Sequence, residues 1–293
     1  VRGLTLKGSF HGRTDRPARY TDSTRGNYEE HLASYRDTQF LHTVEPNNIE
    51  SLEAAFTAAE RDGEFIEAFF MEPVMGEGNP GQSITPEFYT RARALTKEHG
   101  SMFVIDSIQA GLRAHGVLSI VDYPGFEGLD GPDMEAYSKA LNAGQFPLSV
   151  LALAECAASI YRTGLYGNTM TTNPRGLDVA VAVLESFTPA FRKHIRVQGQ
   201  ALVDGLLNLQ KELGDAVTGV QGTGLLLSCE LNSRYKCYGT NSTEDYLRKQ
   251  GLGVIHGGAR SLRYTPVFAV SKKEIELILQ LTRDALINGP KLQ

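Results

Sequence analysis

Two residues with complementary chemistry, Asp106 and Lys139, follow different strand-like stretches of the sequence. Asp106 ends the run SMFVID (101–106), and Lys139 lies among small residues in SKALNAG (138–144). Loops at the carboxyl ends of the strands form the ligand crevice in doubly wound folds, so both side chains are expected there. A lysine can form a Schiff base with an aldehyde, and an aspartate can hold a pyridine nitrogen protonated. The alternative for this pair alone is a capping aspartate and a surface lysine.

Composition and charge narrow the kinds of partner. The chain has 293 residues, a net charge of −5 and a hydrophobic fraction of 41%, as in a folded globular protein. Its charges are interspersed, so we expect small-molecule partners rather than nucleic acid or a membrane. The three cysteines lack paired CxxC spacing, which argues against disulfides and zinc and predicts a reducing compartment, the cytoplasm. The longest apolar stretch (147–161) is too short to span a bilayer.

Short β-type runs alternate with longer helical patterns, which predicts an α/β fold with a mainly parallel central sheet flanked by helices. Thr85 is expected to cap a helix that Gly100 ends. Strands are predicted at 66–74, 101–106, 134–137, 149–153, 224–231 and 261–266, and helical segments at 86–98, 173–213 and 272–287.

The pattern of strand-like and helical segments changes near Phe191. This change predicts a large domain over 1–190 and a smaller α+β domain over 191–293. The chain opens at Val1 directly in strand-like sequence. We therefore expect residues before Val1 in the full protein, so that the large domain lacks its N-terminal portion. A nucleotide-binding α/β module would need GxGxxG or GxxxxGK[ST], and the sequence contains neither.

Seven motifs in a fixed order carry a family resemblance. They are FHGRT (10–14), MEPVMGEGNPG (71–81), FVIDSIQAGLRAHG (103–116), YSKALNAGQFP (137–147), YGNTMTTNP (166–174), GTGLLL (222–227) and LRYTPVF (262–268). Together they resemble the class III aminotransferases of fold type I, most of all the ornithine and acetylornithine branch, from Ser9 to the end of the chain. The resemblance implies pyridoxal 5′-phosphate (PLP) as cofactor. It also implies transfer of an amino group from a primary, terminal amine or an amino acid to a keto acid such as 2-oxoglutarate or pyruvate.

The resemblance also implies roles for the cofactor site. Lys139 would bind the cofactor covalently and later act as the base, and Asp106 would pair with the ring nitrogen. The further cofactor-binding positions would be Phe10 stacking on the ring, His11, Ile108 on the opposite face, Gln109 at the ring hydroxyl oxygen, and Thr169 at the phosphate of the neighbouring subunit. The last role implies a homodimer with shared active sites. Alternatively, Phe10 and Ile108 are ordinary core residues, Gln109 is a polar loop residue and Thr169 is a helix cap.

Three charged residues would bind substrate in members of this family. Arg263 would hold a carboxylate through two parallel hydrogen bonds. Glu77 lies in a glycine-flanked loop with the backbone freedom to let its side chain swing, and would neutralise Arg263 when the other substrate lacks that carboxylate. The alternative is a structural ion pair at the surface, which is usually weak. Arg13 would anchor a substrate carboxylate or order its loop.

The sequence departs from the family at several positions. Ser107 stands where the family has a glutamate after the aspartate, and Thr171 and Thr172 replace glycines. The small-residue loop that holds the cofactor phosphate is expected upstream of Val1. An aminomutase or a decarboxylase on the same fold is an alternative, as is a non-catalytic homologue. The last would be expected to have lost Lys139 or Asp106, and both are present.

Overall fold

The computed structural model describes residues 1–36, 39–165, 167, 169 and 171–292. The described chain divides into two compact units. The first comprises Val1–Pro73, Ile84–Leu112 and Val117–Phe187, and the second comprises Val74–Ser83, Arg113–Gly116 and Thr188–Gln293. Two short segments from the N-terminal part of the chain thus belong to the second unit. The predicted domain division between residues 190 and 191 stays a prediction.

A mainly parallel sheet forms the first unit. Within the described residues it has six strands in the order β2-β1-β3-β4-β5-β6. The strands are β1 (Arg2–Leu6), β2 (Leu41–Val44), β3 (Ile66–Met71), β4 (Met102–Asp106), β5 (Met134–Tyr137) and β6 (Val150–Leu153). Neighbouring strands are parallel except β5 and β6, which are antiparallel. The predicted α/β fold with a mainly parallel sheet is confirmed.

In the part of this unit that the structure describes, four helices lie between the strands in the sequence, and two follow the last strand, β6. They are α1 (Asp15–Arg19), α2 (Arg25–His31), α3 (Ile49–Arg61), α4 (Pro86–His99), α5 (Glu155–Ala158) and α6 (Pro174–Ser186). The predicted cap of α4 is confirmed, since the Thr85 hydroxyl accepts the backbone N–H of Phe88 at 3.3 Å. Gly100 ends that helix with a φ of 70°, a left-handed conformation that favours glycine. Short 3₁₀ turns cover Ala33–Tyr35, Ile120–Asp122 and Lys139–Asn142.

The centre and one edge of the sheet differ in burial. In β4 every residue from Phe103 to Asp106 is buried, as expected for a parallel strand covered on both faces. Strand β6 lies at the end of the sheet, and all four of its side chains are exposed. The apolar sequence of β4 therefore supplies the core, and the equally apolar sequence of β6 does not.

The second unit contains an antiparallel sheet, with four strands in the described part of the chain, in the order β7-β8-β10-β9. Its elements are α7 (Pro189–Leu213), a 3₁₀ turn (Gly214–Ala216), β7 (Val217–Thr223), β8 (Leu226–Leu231), α8 (Thr243–Lys249), β9 (Ile255–Gly257), β10 (Ser261–Tyr264) and α9 (Lys272–Asn288). A capping box between Ser271 and Glu274 begins α9. Across the described residues, no helix is both long and apolar enough to cross a bilayer.

Candidate active site

Asp106 and Lys139 lie at the same edge of the first unit's sheet. Asp106 is the last residue of β4, and Lys139 comes two residues after the end of the neighbouring parallel strand β5. Asp106 is buried and Lys139 is exposed. A fixed carboxylate and an accessible amine thus follow adjacent strands at their carboxyl ends, where ligands bind in folds of this kind.

A chain of hydrogen bonds holds the Asp106 carboxylate. Its Oδ1 accepts the backbone N–H of Ile108 at 3.1 Å, and its Oδ2 lies 2.8 Å from Nδ1 of the buried His11. The other ring nitrogen, Nε2, is 3.0 Å from the Thr5 hydroxyl, which is itself 2.7 Å from the Ser9 hydroxyl. The imidazole cannot turn without breaking a hydrogen bond at each end, so the carboxylate has one orientation.

Lys139 combines a polar contact with a strained backbone. Its Nζ donates to Oε1 of Gln109 at 2.9 Å. Its φ is 43°, in the left-handed region that residues other than glycine rarely occupy. The turn that starts at Lys139 is anchored by the Ser138 hydroxyl, which donates to the Leu148 carbonyl at 2.5 Å. Such strain costs on the order of 1–3 kcal/mol and occurs often at functional sites.

The segment after β1 carries Phe10 and Arg13. The backbone N–H of Phe10 donates to Oε2 of Glu72 at 3.0 Å, and Glu72 is buried directly after β3. The Arg13 guanidinium lies over the Phe10 ring, 5.2 Å from its centroid. Phe10 is half-buried and Thr169 is exposed. The sequence reasoning missed Glu72, because the strand predicted over 66–74 placed this acid inside the strand, whereas the strand ends at Met71.

Glu135 is a second residue that the sequence reasoning missed. It lies on β5, is only 3% exposed, and burial raises the pKa of its carboxyl group. Its Oε1 accepts the Ser107 hydroxyl at 2.5 Å and the backbone N–H of Ile120 at 3.1 Å, and its Oε2 accepts the Ser119 hydroxyl at 2.6 Å. An acid inside the otherwise apolar run 134–137 was the available signal.

In the second unit, Arg263 and Glu77 form an ion pair. Arg263 lies on β10 and is 5% exposed, so the arginine of this pair is buried, and not at the surface as the structural alternative expected. Its Nη1 is 2.9 Å from Oε1 of Glu77, whose side chain is 35% exposed, and it also donates to the Gly76 carbonyl. Arg263 Nε is buried and has no hydrogen-bond partner among the described residues. One donor of a buried guanidinium is therefore unsatisfied.

The loop that carries Glu77 is held more firmly than the sequence suggests. The Glu77 carbonyl accepts the backbone N–H of Gly258 at 2.7 Å. Further along the loop, the Pro80 carbonyl accepts the Gln221 amide at 3.0 Å and the Ser228 hydroxyl at 2.5 Å. The expected backbone freedom at Glu77 is therefore wrong, because these hydrogen bonds fix the loop. Any exchange of partner at Arg263 requires rotation of the Glu77 side chain.

The chain is similar in sequence to known aminotransferases. It is 31% identical over 281 residues to an acetylornithine aminotransferase of Neisseria meningitidis, covering 95% of this chain and 66% of the relative. It is 28% identical to ornithine aminotransferase 2 of Staphylococcus aureus, covering 96% of this chain and 65% of the relative. The chain thus spans about two thirds of the length of these relatives.

Solved structures share the fold. The ornithine aminotransferase of Toxoplasma gondii superposes with a TM-score of 0.79 at 21% identity, over 98% of this chain and 65% of that one. A Bacillus anthracis aminotransferase superposes with a TM-score of 0.82 at 19% identity, over 97% and 69%. Another structure of the Toxoplasma enzyme contains PLP at partial occupancy in its active site. That structure has a TM-score of 0.81 at 21% identity, over 98% of this chain and 64% of that one.

The side chains of the first unit fit the cofactor of this family, PLP. Asp106 offers a buried carboxylate of fixed orientation, suited to a protonated ring nitrogen. Lys139 offers an exposed amine, and Gln109 uses its carbonyl oxygen for that amine, so its amide nitrogen serves as a donor. The family model for class III aminotransferases matches residues 3–286. The chain belongs to the class III aminotransferases.

Proposed function

We propose that the protein transfers an amino group from a primary amine, most suitably a terminal one, to a keto acid such as 2-oxoglutarate or pyruvate. The observation that carries this proposal is the pairing of Lys139 and Asp106 at the ends of adjacent parallel strands. The curated relatives are acetylornithine and ornithine aminotransferases, which supports an amino group at the end of a chain as the donor.

The first unit would carry the proton transfer. Bound PLP supplies an electron sink for the bond that breaks at the substrate carbon. Lys139 Nζ would act as the base that moves the proton between the substrate carbon and the cofactor. Asp106, held by His11 and the Ile108 amide, would keep the ring nitrogen protonated. Gln109 would hold the lysine amine in place before the cofactor binds, through its 2.9 Å hydrogen bond.

Phe10 and Ile108 would contact the two faces of the cofactor ring. Both side chains are half-buried, so each retains surface that a planar ring could cover. The Arg13 guanidinium lies over the Phe10 ring and would have to share or leave that position. Arg13 is exposed and could then engage a substrate carboxylate, the role that the family resemblance implies.

The second unit would discriminate between the two substrates. Arg263 would bind the carboxylate of the keto acid, and Glu77 would replace that carboxylate when a terminal amine is the substrate. A carboxylate ligand could also satisfy the unpartnered Nε of Arg263, because guanidinium and carboxylate groups pair through two parallel hydrogen bonds. Once a substrate carboxylate pairs with the buried Arg263, the partly exposed Glu77 can turn into solvent without leaving the arginine uncompensated.

A homodimer would complete the site, with Thr169 donating to the cofactor phosphate of the neighbouring subunit. Large exposed apolar side chains are frequent within about twenty residues of Thr169 in the sequence, which supports an interface formed by this part of the chain. They are Val150, Leu151, Leu153, Ile160, Tyr161, Leu165, Leu177, Val181 and Leu184. Mixing inactive Lys139→Ala and Thr169→Ala subunits should restore activity through one intact site. No recovery after verified subunit exchange would contradict the shared site.

Full-length protein loaded with PLP tests the function directly. It should show a visible absorption band and convert a terminal amine and 2-oxoglutarate to aldehyde and glutamate. Lys139→Ala should lose both, whereas Lys193→Ala, at an exposed position on α7, should keep both. A Lys139→Ala protein that still binds PLP covalently at another lysine would disprove the assignment. Release of carbon dioxide or migration of the amino group within one substrate would instead identify a decarboxylase or an aminomutase.

A further inference from the structure

The carboxyl group of Glu135 joins both ends of the segment 107–120. At the start of the segment, the Ser107 hydroxyl donates to its Oε1 at 2.5 Å. At the end, the Ile120 backbone N–H donates to the same oxygen at 3.1 Å, and the Ser119 hydroxyl donates to Oε2 at 2.6 Å. One buried group on β5 thus fixes where this segment leaves the sheet and where it returns.

No side chain closer in sequence performs this task within the described residues. A 3₁₀ turn begins at Ile120, and the preceding Ser119 makes no capping hydrogen bond with its own side chain. The Ile120 amide is buried and depends on Glu135 as its acceptor. Ser107 is 1% exposed, so its hydroxyl also depends on a protein partner. An apolar residue at 135 would leave these donors unsatisfied, which is costly in a buried environment.

Burying a carboxyl group at this position is energetically unfavourable. Burial raises the pKa of Glu135, which shows that the surroundings disfavour its ionised form despite the hydrogen bonds. Its cross-strand neighbours on the sheet, Ile105 of β4 and Ala152 of β6, are apolar. The hydrogen bonds from Ser107, Ser119 and Ile120 therefore have to offset the cost of burying this group.

The segment that Glu135 fixes carries two residues of the candidate active site. Ile108 and Gln109 follow Ser107 directly, and Gln109 accepts the hydrogen bond from Lys139. The turn itself is closed by the Gly111 backbone N–H, which donates to the Ser107 carbonyl at 2.8 Å. A displacement of Ser107 would therefore move Gln109 relative to Lys139.

Ser107 is also the position at which the sequence departs from the family, where an acid follows the aspartate. Ile105 of β4 pairs with Glu135 of β5, so the Glu135 side chain projects beside the end of β4. The Ser107 backbone N–H donates to the Ala136 carbonyl at 3.0 Å, which keeps the two strand ends together. The acid is thus present beside position 107 but comes from the neighbouring strand.

We propose that Glu135 is a positioning residue that holds the 107–120 segment at both ends, supplying from β5 the carboxyl group that is absent at position 107. Its effect on catalysis, through Ile108 and Gln109, rests on the proposed function. The attachment of the segment does not rest on it, so the two can fail separately.

Hydrogen exchange of the full-length protein, purified without PLP, tests the attachment. Glu135→Leu should accelerate amide exchange over 107–120 by roughly tenfold or more, while β3 exchanges as before. Glu135→Gln should stay near the wild type, because its Oε1 can accept both donors and its amide can donate to Ser119. Ser119→Ala is the control, since it leaves the Ile120 amide bound. Unchanged exchange in Glu135→Leu would overturn the proposal.

Relocating the acid provides the sharper test. The double variant Ser107→Glu, Glu135→Leu should restore slow exchange and most of the turnover that Glu135→Leu loses. Glu135→Leu should lower kcat and leave the KM of the keto acid unchanged at temperatures where the protein is folded. A loss of thermal stability alone, with normal kcat, would make Glu135 a core residue only and overturn its role in catalysis. If Glu135→Leu does not fold, Ser107→Ala decides, and it should accelerate exchange at Ile108 and Gln109.

Discussion

The two polar groupings of this molecule differ in how completely their hydrogen bonds are satisfied. In the first unit, Asp106 and His11 are buried and hydrogen-bonded to each other, and Thr5 contacts the other ring nitrogen of His11. In the second unit, Arg263 is buried, but its partner Glu77 is partly exposed and one guanidinium donor has no partner among the described residues. The first arrangement is thus hydrogen-bonded throughout, whereas the second leaves a donor that a substrate carboxylate would satisfy in the proposed function.

This difference fits two chemical demands. A proton held on a cofactor ring must stay in place through the whole reaction, so its partner should not move. A site that meets substrates of different charge must change its partner, so one member of the pair should be able to turn into solvent. Removing either member of a buried pair costs more than the pair itself contributes, because the remaining charge is left without compensation.

The largest expected effect concerns the fixed grouping. Asp106→Asn should leave PLP bound but lower turnover by about 10²–10⁴-fold, because the ring nitrogen loses its charged partner. Single-turnover rates and bound cofactor should be measured on the same full-length sample. Near-normal turnover would show that Asp106 does not face the ring nitrogen.

The exchangeable grouping should show a smaller and selective effect. Arg263→Ala should raise the KM of the keto acid by an amount equivalent to about 1.5–3 kcal/mol, the loss of a charged hydrogen bond. Glu77→Ala should increase reactivity with glutamate relative to a terminal amine, because the arginine is then open to any carboxylate. Both half-reactions should be measured separately, with Arg260→Ala, an exposed arginine beside β10, as the control. An unchanged ratio in Glu77→Ala would mean that the pair is only structural.

Backbone strain at Lys139 should lower the stability of the folded protein. Both Lys139→Gly and Lys139→Ala should be inactive, but the glycine variant should be more stable by about 1 kcal/mol, because a φ of 43° costs glycine little. At Lys193, within α7, the order should reverse, since alanine favours a helix. Denaturation of the cofactor-free proteins measures both pairs. Equal stabilities at position 139 would contradict the strain.

The smallest effect is the pH dependence from Glu135. Its folded-state pKa is raised by burial, so the stability associated with its protonated form is complete below the ordinary glutamate pKa of 4.5 and is lost as the pH rises through the folded value. Glu135→Gln removes this titration. The variant should therefore gain in Tm relative to the wild type as the pH rises above about 4.5. A constant difference in Tm would contradict the raised pKa.

Local features were predictable from the sequence, and pairings between strands were less so. Thr85 and Gly100 could be assigned as caps because their function depends on adjacent residues. Asp106 and Lys139 could be placed together because each follows a strand. The contact between Glu135 and Ser107 could not, because it depends on the register of β4 against β5, which no local pattern specifies.

The ion pair of Arg263 and Glu77 was predicted only from the family resemblance, because these residues lie far apart in the chain. Its burial and the fixed loop backbone did not follow from the residue types, because both depend on Gly258, Gln221 and Ser228 in the folded unit. His11 was assigned to the cofactor site, but its bond to Asp106 requires the end of β1 to lie near the end of β4.

The exposed strand β6 has a consequence for the protein in concentrated solution. One edge of it pairs with β5, and within the described residues no strand covers the other. Its sequence, VLAL, contains neither the lysine nor the proline that commonly blocks growth of a sheet beyond its last strand. An uncovered edge of this kind can add strands from other molecules, with apolar side chains to stabilise the contact. Where the proposed homodimer leaves this strand uncovered, aggregates rich in β-structure are expected to grow from it, at a rate that rises with protein concentration.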